Sequence, residues 1–272
     1  MDPYFAALVV LGLLLSSSSV WQWKPRPKGL SPQDQPFPGP GKYLNFTTTR
    51  YQDFCRFRNH FLRVYALAVA ADWLQGSFIY SLYRNTHKLS ESSVASLFAT
   101  GYLWGALSGG ITGALADRYG RKLACITYCV IYSASCLTCL THNLPLLFLG
   151  RALGGISTTL LSTVFETWMV AQFHQLGFES SDGLLSDILG SMSTVNGAVA
   201  VTCGIVAQAL VSISGSEQMP FLVSIICLCA AGGIMWRSWP ENYRQKEQVR
   251  SDDPTHYALP SKTTLQFTGC KF

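Results

Sequence analysis

Long apolar runs separated by short polar stretches dominate this sequence. A run of about 20 predominantly apolar residues is long enough to form a helix that crosses a lipid bilayer. The pattern predicts six such helices between residues 61 and 246, over residues 62–83, 94–116, 123–140, 144–170, 188–211 and 221–239. The predicted fold class is therefore an all-α membrane protein.

A further apolar run lies near the N-terminus, at residues 4–20. Asp2 precedes this run, and the nearest basic residue, Lys24, follows it. A cleaved signal peptide would carry its basic residues ahead of the apolar run. The opposite asymmetry favours an uncleaved signal-anchor helix over residues 1–23, with its N-terminus outside.

Two segments contain no apolar run. Residues 24–60 are rich in proline and glycine as far as residue 49 and then become basic and aromatic. This composition predicts an extended linker followed by a segment at the membrane interface. Residues 247–272 are polar and predict a disordered tail. So abrupt a change after Glu247 would also arise at an alternative splice junction or from a frameshift.

The composition supports a membrane location and excludes several function classes. Hydrophobic residues make up 49% of the chain and charged residues only 13%, whereas soluble domains carry about 25% charged residues. The net charge of +5 is explained by basic loops on one side of a membrane, so we expect no nucleic-acid partner.

No pattern of catalytic or metal-binding residues stands out in the sequence. Of nine cysteines, Cys136 and Cys139 form the spacing CxxC, but no second pair or histidine cluster completes a zinc set. The sequence offers no nucleophile triad and no phosphate-binding loop. We therefore expect no metal, no cofactor and no enzymatic activity.

A charged decapeptide, Gly-Ala-Leu-Ala-Asp-Arg-Tyr-Gly-Arg-Lys, lies between the second and third predicted helices. Its first glycine favours a close approach of two helices, and its second permits a tight reversal. The decapeptide resembles the signature between transmembrane helices 2 and 3 of the major facilitator superfamily. The resemblance implies the N-terminal six-helix half of a facilitator, here preceded by one extra helix. It also implies an inner gate formed by Gly113, Asp117, Arg118, Gly120, Arg121 and Lys122.

The distribution of basic residues predicts the orientation. With the decapeptide inside the cell, the inner segments hold most of the Lys and Arg residues, whereas the outer loops hold only Arg84 and Lys88. The loop after the fourth helix is an exception because it is acidic. The count predicts a cytoplasmic C-terminal tail and places the Asn45 sequon in the cytoplasm, where it would remain unglycosylated.

Three ionisable residues lie within predicted spans, where charge is costly and usually functional. Asp72 in the first helix and Arg151 in the fourth lie at depths that differ by roughly 5 Å, so they could meet or share a ligand. Either they form an ion pair that only fixes two helices, or Arg151 binds an anion through its planar guanidinium. Glu166 is equally open to a structural or a functional role. Gln75 and Asn196 could add neutral donors or simply join helices.

Four further stretches strengthen the resemblance: Ala-Ala-Asp72-Trp-Leu-Gln75-Gly, Gly-Arg151-Ala-Leu-Gly-Gly-Ile-Ser, Phe-Glu166-Thr-Trp and Trp-Pro-Glu241-Asn-Tyr. They are similar to sequences of the molybdate-anion transporter family of facilitators over about residues 60–245. This resemblance implies uptake of molybdate or a similar tetrahedral oxyanion across the cell membrane by alternating access. Arg151 would bind the anion, with Asp72 as its counter-charge and a candidate proton carrier.

Six helices would form only one half of a facilitator. We therefore expect, besides the lipid bilayer, a second six-helix half supplied by another copy or by a full-length carrier. The alternative function is that of a truncated, non-transporting form that acts only by pairing with or interfering with the full-length carrier.

Overall fold

The computed structural model describes residues 40–178 and 183–241, and within these ranges the chain is helical and contains no strand. The six long helices are α1 (Pro40–Gly76), α2 (Glu91–Tyr119), α3 (Arg121–Thr138), α4 (Leu144–Gln175), α5 (Leu184–Ser214) and α6 (Met219–Ser238). An α-helical turn, Ile79–Ser81, and a π-helical turn, Leu82–Thr86, follow α1. The predicted all-α fold class is confirmed. The predicted N-terminal anchor and the polar tail lie outside the described residues.

Four of these helices, α2, α4, α5 and α6, are long and apolar enough to cross a membrane. α1 and α3 do not meet this criterion, because α1 contains several charged residues and α3 begins with Arg121 and Lys122. Much of the surface of α1 is instead covered by its neighbours. The chain is a multi-pass membrane protein.

The start of α1 differs from the prediction. An extended chain was expected as far as residue 49, but residues 40–49 are already helical. Pro40 is the last proline before Pro145, and a proline is tolerated in the first turn of a helix, where its missing N–H is not needed. At 37 residues, α1 is about 55 Å long. It therefore extends beyond a hydrocarbon core of about 30 Å.

The charged decapeptide is helical on both sides of its second glycine. α2 continues through Asp117 and Arg118 to Tyr119, and α3 begins at Arg121. Gly120 alone separates them, with φ 108°, a backbone conformation that residues with a Cβ rarely adopt. The predicted reversal at Gly120 is thus present, but a single residue makes it.

The helices pack in two connected groups. α4 packs against α2 and α3, α1 packs against α5 and α6, and α3 joins the groups through α6. An aromatic cluster fills the core near the decapeptide, where the Trp168 and Trp239 rings stack at 3.7 Å. A second cluster, including Tyr83, Leu97 and Phe221, fills the core at the opposite end.

Glycine allows α2 and α4 to approach closely at one level only. A Cβ added at Gly155 would collide with the carbonyl oxygen of Gly101, and one added at Gly105 would lie 3.3 Å from the carbonyl oxygen of Gly155. A Cβ at Gly113 would meet no described atom within 4 Å. The expectation that Gly113 marks a close helix approach is therefore wrong for the part of the chain described.

Candidate functional site

A cavity of about 250 Å³ lies where α1 to α4 come together. This volume is sufficient for a small oxyanion with accompanying water. Glycines of α2 and α4 and two threonines of α4 form much of its wall, and four larger polar side chains contribute to it: Gln75, Tyr102, Tyr132 and Arg151. The lining residues used below are Gln75, Gly101, Tyr132, Arg151, Gly155 and Thr159.

The Arg151 side chain enters this cavity from α4. It passes over Gly101, where an added Cβ would lie 2.8 Å from its Nη2 atom. The guanidinium carbon lies 4.9 Å from the centre of the Phe98 ring. Its Nε atom is buried without a hydrogen-bond partner. Because no described residue accepts a hydrogen bond from the guanidinium, its donors are available to a ligand.

Asp72 lies behind the cavity wall and reaches it through Tyr132. The Tyr132 hydroxyl donates a hydrogen bond of 2.5 Å to Oδ1 of Asp72, and only 3% of the Tyr132 surface is exposed. Asp72 and Arg151 interact electrostatically, but the described residues form no salt bridge between them. The ion pair that was one of the two expectations is therefore not formed in this structure.

Gln75 joins Arg151 in the cavity wall, one helical turn along α1 from Asp72. Its side chain is 5% exposed, and its Oε1 atom accepts a weak hydrogen bond from the Cys136 thiol at 3.7 Å. The amide nitrogen has no acceptor among the described residues. Gln75 therefore places a second unused donor beside Arg151.

The structure does not bring Asn196 and Glu166 into this cavity. The Asn196 Oδ1 atom accepts a hydrogen bond of 2.9 Å from the Trp73 indole, which joins α5 to α1. Glu166 is exposed and lies near Tyr65, about 22 Å along α4 from Arg151. Asn196 thus makes the interhelical hydrogen bond that was its alternative role, and a role for Glu166 stays a prediction.

Tyr132 is the main site residue that the sequence analysis missed. Tyr128 and Tyr132 are one turn apart within an apolar span, and a buried hydroxyl there requires a hydrogen-bond partner. That requirement was a usable signal of two polar contacts. Which of the two tyrosines faces Asp72 is decided by the rotation of α3, which the sequence pattern does not reveal.

Four residues form a junction, which we call the inner junction after the predicted orientation: Asp117, Arg121 and Lys122 of the decapeptide, and Glu241. Arg121 Nη2 lies 2.8 Å from the Asp117 carboxylate. The Glu241 carboxylate accepts hydrogen bonds from the main-chain N–H of Lys122 at 2.9 Å and of Leu123 at 3.2 Å. An acidic group at this position also interacts favourably with the dipole of α3. The junction therefore ties the decapeptide to the end of α6.

The other decapeptide residues make fewer contacts. Arg118 is exposed, with its guanidinium 5.5 Å from the Tyr119 ring. Gly120 lies beside the Glu241 carboxylate, where an added Cβ would be 2.5 Å from Oε1. Gly120 is therefore required both by its φ and by the space that Glu241 occupies.

A carboxylate at the opposite end of the bundle forms a second cluster, Glu217 with Ser81, Asn85 and Thr86, which we call the outer clamp after the predicted orientation. Glu217 lies between α5 and α6 and accepts hydrogen bonds from Ser81, from Asn85 at 3.1 Å and from Thr86 at 2.9 Å. Burial alone would raise the pKa of Glu217, but the three hydrogen bonds together outweigh it and hold the pKa below its ordinary value. The clamp holds the π-helical turn against the α5–α6 connection.

Within residues 40–178 and 183–241, no group of three or more His, Cys, Asp or Glu residues is arranged to hold a metal ion. The Cys136 and Cys139 thiols are both free. The Cys139 thiol lies 3.8 Å from the Tyr83 hydroxyl.

Comparison with known proteins places these features in a family. A family model described as sugar transporters with twelve transmembrane segments matches residues 44–256. The molybdate-anion transporter of Danio rerio is 36% identical over 197 residues, which are 71% of this chain and 40% of the relative. That of Takifugu rubripes is 34% identical over 197 residues, with 71% and 40% covered. That of Xenopus tropicalis is 32% identical over 198 residues, with 72% and 43% covered. The chain thus spans about 40% of the length of these curated relatives.

Proposed function

This chain belongs to the major facilitator superfamily, in the family of twelve-span sugar transporters, and we propose that it forms part of a carrier for molybdate or a similar tetrahedral oxyanion. One observation carries the proposal: the Arg151 guanidinium lies in a cavity with no acceptor among the described residues. The relatives named molybdate-anion transporter support the same substrate.

The donors beside the cavity suit an oxyanion. A guanidinium can donate two parallel hydrogen bonds to adjacent oxygen atoms, which a tetrahedral anion presents on each of its edges. The Gln75 amide nitrogen adds a neutral donor from the opposite helix. The Arg151 Nε atom is buried, and a hydrogen bond made inside a protein is electrostatically stronger than one made in water.

The mechanism we propose is alternating access, in which two six-helix bundles rock about a site near the membrane midplane. The six helices described here would supply one bundle, and a second copy or a full-length carrier would supply the other. Asp72 would act as counter-charge to Arg151 from behind Tyr132. The inner junction would hold the cytoplasmic ends of α2, α3 and α6 together during the movement.

The proposed orientation in the cell membrane has the N-terminus outside and the C-terminal tail in the cytoplasm. Its support is the basic-residue count, since Arg84 and Lys88 are the only basic residues in the outer loops. In this orientation Asn45 is cytoplasmic. A mobility shift on glycosidase treatment that disappears in Asn45→Gln would contradict it.

The experiment that tests the proposed function compares molybdate uptake by cells expressing the wild-type chain and Arg151→Lys. Lysine keeps the charge but cannot form two parallel hydrogen bonds, so uptake should fall about tenfold or more. Arg237→Lys is the matched control, because Arg237 is exposed, lies outside the predicted gate and does not line the cavity. Equal uptake by Arg151→Lys and the wild type would reduce Arg151 to a structural role.

A second candidate function is a non-transporting one, in which the chain acts by pairing with another six-helix bundle. The observation that favours it is the exposed apolar face of α2, formed by Leu103, Leu107, Ile111 and Leu115 at four-residue spacing. A monomer would also leave the polar site partly open to lipid, at a cost of several kcal/mol. Chemical cross-linking of the reconstituted chain should therefore yield a dimer or a larger species. Saturable molybdate uptake by a demonstrated monomer would contradict the need for pairing.

A further inference from the structure

We propose that the Tyr132 hydroxyl couples protonation of Asp72 to binding of the anion at Arg151, so that proton and oxyanion bind together. The inference rests on the proposed function, because it assumes an oxyanion in the cavity. It adds to the candidate proton carrier, Asp72, a residue that links this carboxyl group to the anion site. Its basis is the position of Tyr132, which contacts Asp72 on one side and lines the cavity on the other.

The Tyr132 hydroxyl can donate only one hydrogen bond, and in this structure Asp72 accepts it. An ionised carboxylate can only accept hydrogen bonds, so the Tyr132 hydroxyl must then point away from the cavity. When Asp72 takes up a proton from water, its own O–H can donate to the Tyr132 oxygen. The Tyr132 O–H is then free to turn towards the cavity. One proton is gained by the carboxyl group, and no other bond is formed or broken.

The released hydroxyl would face the same space as the two donors already described. Arg151 and Gln75 both line the cavity that Tyr132 lines. A bound oxyanion would therefore gain a third donor when Asp72 is protonated and lose it when Asp72 is ionised. Protonation also removes a negative charge from behind the cavity wall, which favours an anion in the same direction.

The other ionisable groups around Asp72 cannot perform this exchange. Those that sense its charge are Tyr65 of α1, Tyr128 and Cys136 of α3, and Arg151 of α4. The Tyr128 hydroxyl donates to the main-chain oxygen of Ala68 at 2.9 Å and does not bond Asp72. α5 and α6 carry charged residues only near their ends, at Asp187 and Arg237. Among the described residues, Tyr132 alone bonds Asp72 and also lines the cavity.

The coupling has a direction. Binding of the oxyanion should tighten as the pH falls, because the protonated carboxyl releases the hydroxyl donor. Linkage requires the converse, so that a bound oxyanion favours the protonated form of Asp72 by the same factor. A carrier built in this way moves the anion together with a proton.

The test measures equilibrium binding of molybdate at micromolar concentration to the purified full-length chain in detergent, at mildly acidic and mildly alkaline pH. Tyr132→Phe keeps the ring and removes only the hydroxyl. It should bind about tenfold more weakly than the wild type at acidic pH, the effect of one hydrogen bond to a charged ligand. At alkaline pH the two should bind equally, because the wild-type hydroxyl is then engaged by Asp72.

Two further variants keep the result interpretable. Tyr128→Phe removes a hydroxyl of equal burial from the same helix and should keep the wild-type pH profile. Asp72→Asn cannot change its charge and should bind with little dependence on pH. Retention of the full wild-type profile by Tyr132→Phe, or by Asp72→Asn, would overturn the coupling.

The inference and the proposed function fail in different ways. If the wild type binds molybdate equally at both pH values, the coupling is wrong and the anion site stands. If the wild type binds no molybdate at either pH, both are wrong.

Discussion

The inner junction and the cavity at Arg151 both contain charged side chains, but they differ in how those charges are satisfied. At the junction, Asp117 pairs with Arg121, and Glu241 accepts two main-chain hydrogen bonds at the start of α3. In the cavity, the Arg151 guanidinium has no acceptor among the described residues. An arrangement of the first kind holds helices together, and one of the second kind is available to a ligand.

The two regions also require glycine for different reasons. At the junction, Gly120 is needed for a chain reversal and to leave room for the Glu241 carboxylate. At the cavity, Gly101 leaves room for the guanidinium, and Gly155 lets α4 approach the α2 main chain. The first requirement belongs to the fold alone, whereas the second also shapes the candidate site.

The largest effect is expected for Gly155→Ala, which tests whether the close helix contact supports the cavity. The added methyl group would collide with the Gly101 carbonyl oxygen and force α2 and α4 apart. Overpacking of this kind costs about 1–3 kcal/mol of unfolding free energy. A lower midpoint of thermal unfolding in detergent, together with weaker molybdate binding, is the expected result.

Gly113→Ala is the matched control for this variant, because a Cβ there meets no described atom within 4 Å. Its stability should change by no more than about 0.5 kcal/mol. If the two variants unfold at the same temperature, the close contact at Gly155 does not support the bundle.

A somewhat smaller effect is expected at the inner junction for Glu241→Ala. The change removes the acceptor for the N–H groups of Lys122 and Leu123 and the favourable charge at the start of α3. Loss of a comparable N-terminal cap costs about 0.5–2 kcal/mol. Thermal unfolding should show this loss, while molybdate affinity of the folded fraction should stay unchanged. A large loss of affinity with unchanged stability would reverse the assignment of the two regions.

The smallest effect is expected at the outer clamp, where the Glu217 carboxylate, like the carboxylates of the junction, is held by hydrogen bonds from its neighbours. The hydrogen bonds hold the folded-state pKa of Glu217 below its ordinary value, so its ionised form stabilises the fold once the pH is above that ordinary value. This contribution is lost as the pH falls through the folded-state pKa. Glu217→Gln should therefore flatten the acid limb of a plot of melting temperature against pH. Glu91→Gln, at an exposed residue that pairs with Arg84, should leave the curve unchanged.

The sequence predicted the helical fold and the charged residues of the candidate site for a simple physical reason. Apolar runs long enough to cross a membrane identify helices, and charges inside such runs identify Asp72 and Arg151. The partners of those residues depend on how each helix is rotated and tilted. Tyr132 was therefore missed and the role of Asn196 was left open, since the contacts of a polar residue within a span are set by its neighbours.

At the decapeptide, too, the sequence predicted the local structure but not the distant contacts. Its residue types indicated a tight reversal, and Gly120 makes one. The structure adds that Glu241, about 120 residues away in sequence, completes the junction. Periodicity within a helix carries no information about which distant residue will lie beside its end.

The most direct test of the central claim is equilibrium binding of molybdate to three purified proteins in detergent: the wild type, Arg151→Gln and Arg121→Gln. Both variants remove one positive charge, but only Arg151 lines the cavity, whereas Arg121 pairs with Asp117 at the junction. The account predicts saturable binding by the wild type and by Arg121→Gln, and a loss of at least about tenfold in affinity for Arg151→Gln. Equal affinity in all three proteins, or an equal loss in both variants, would contradict it.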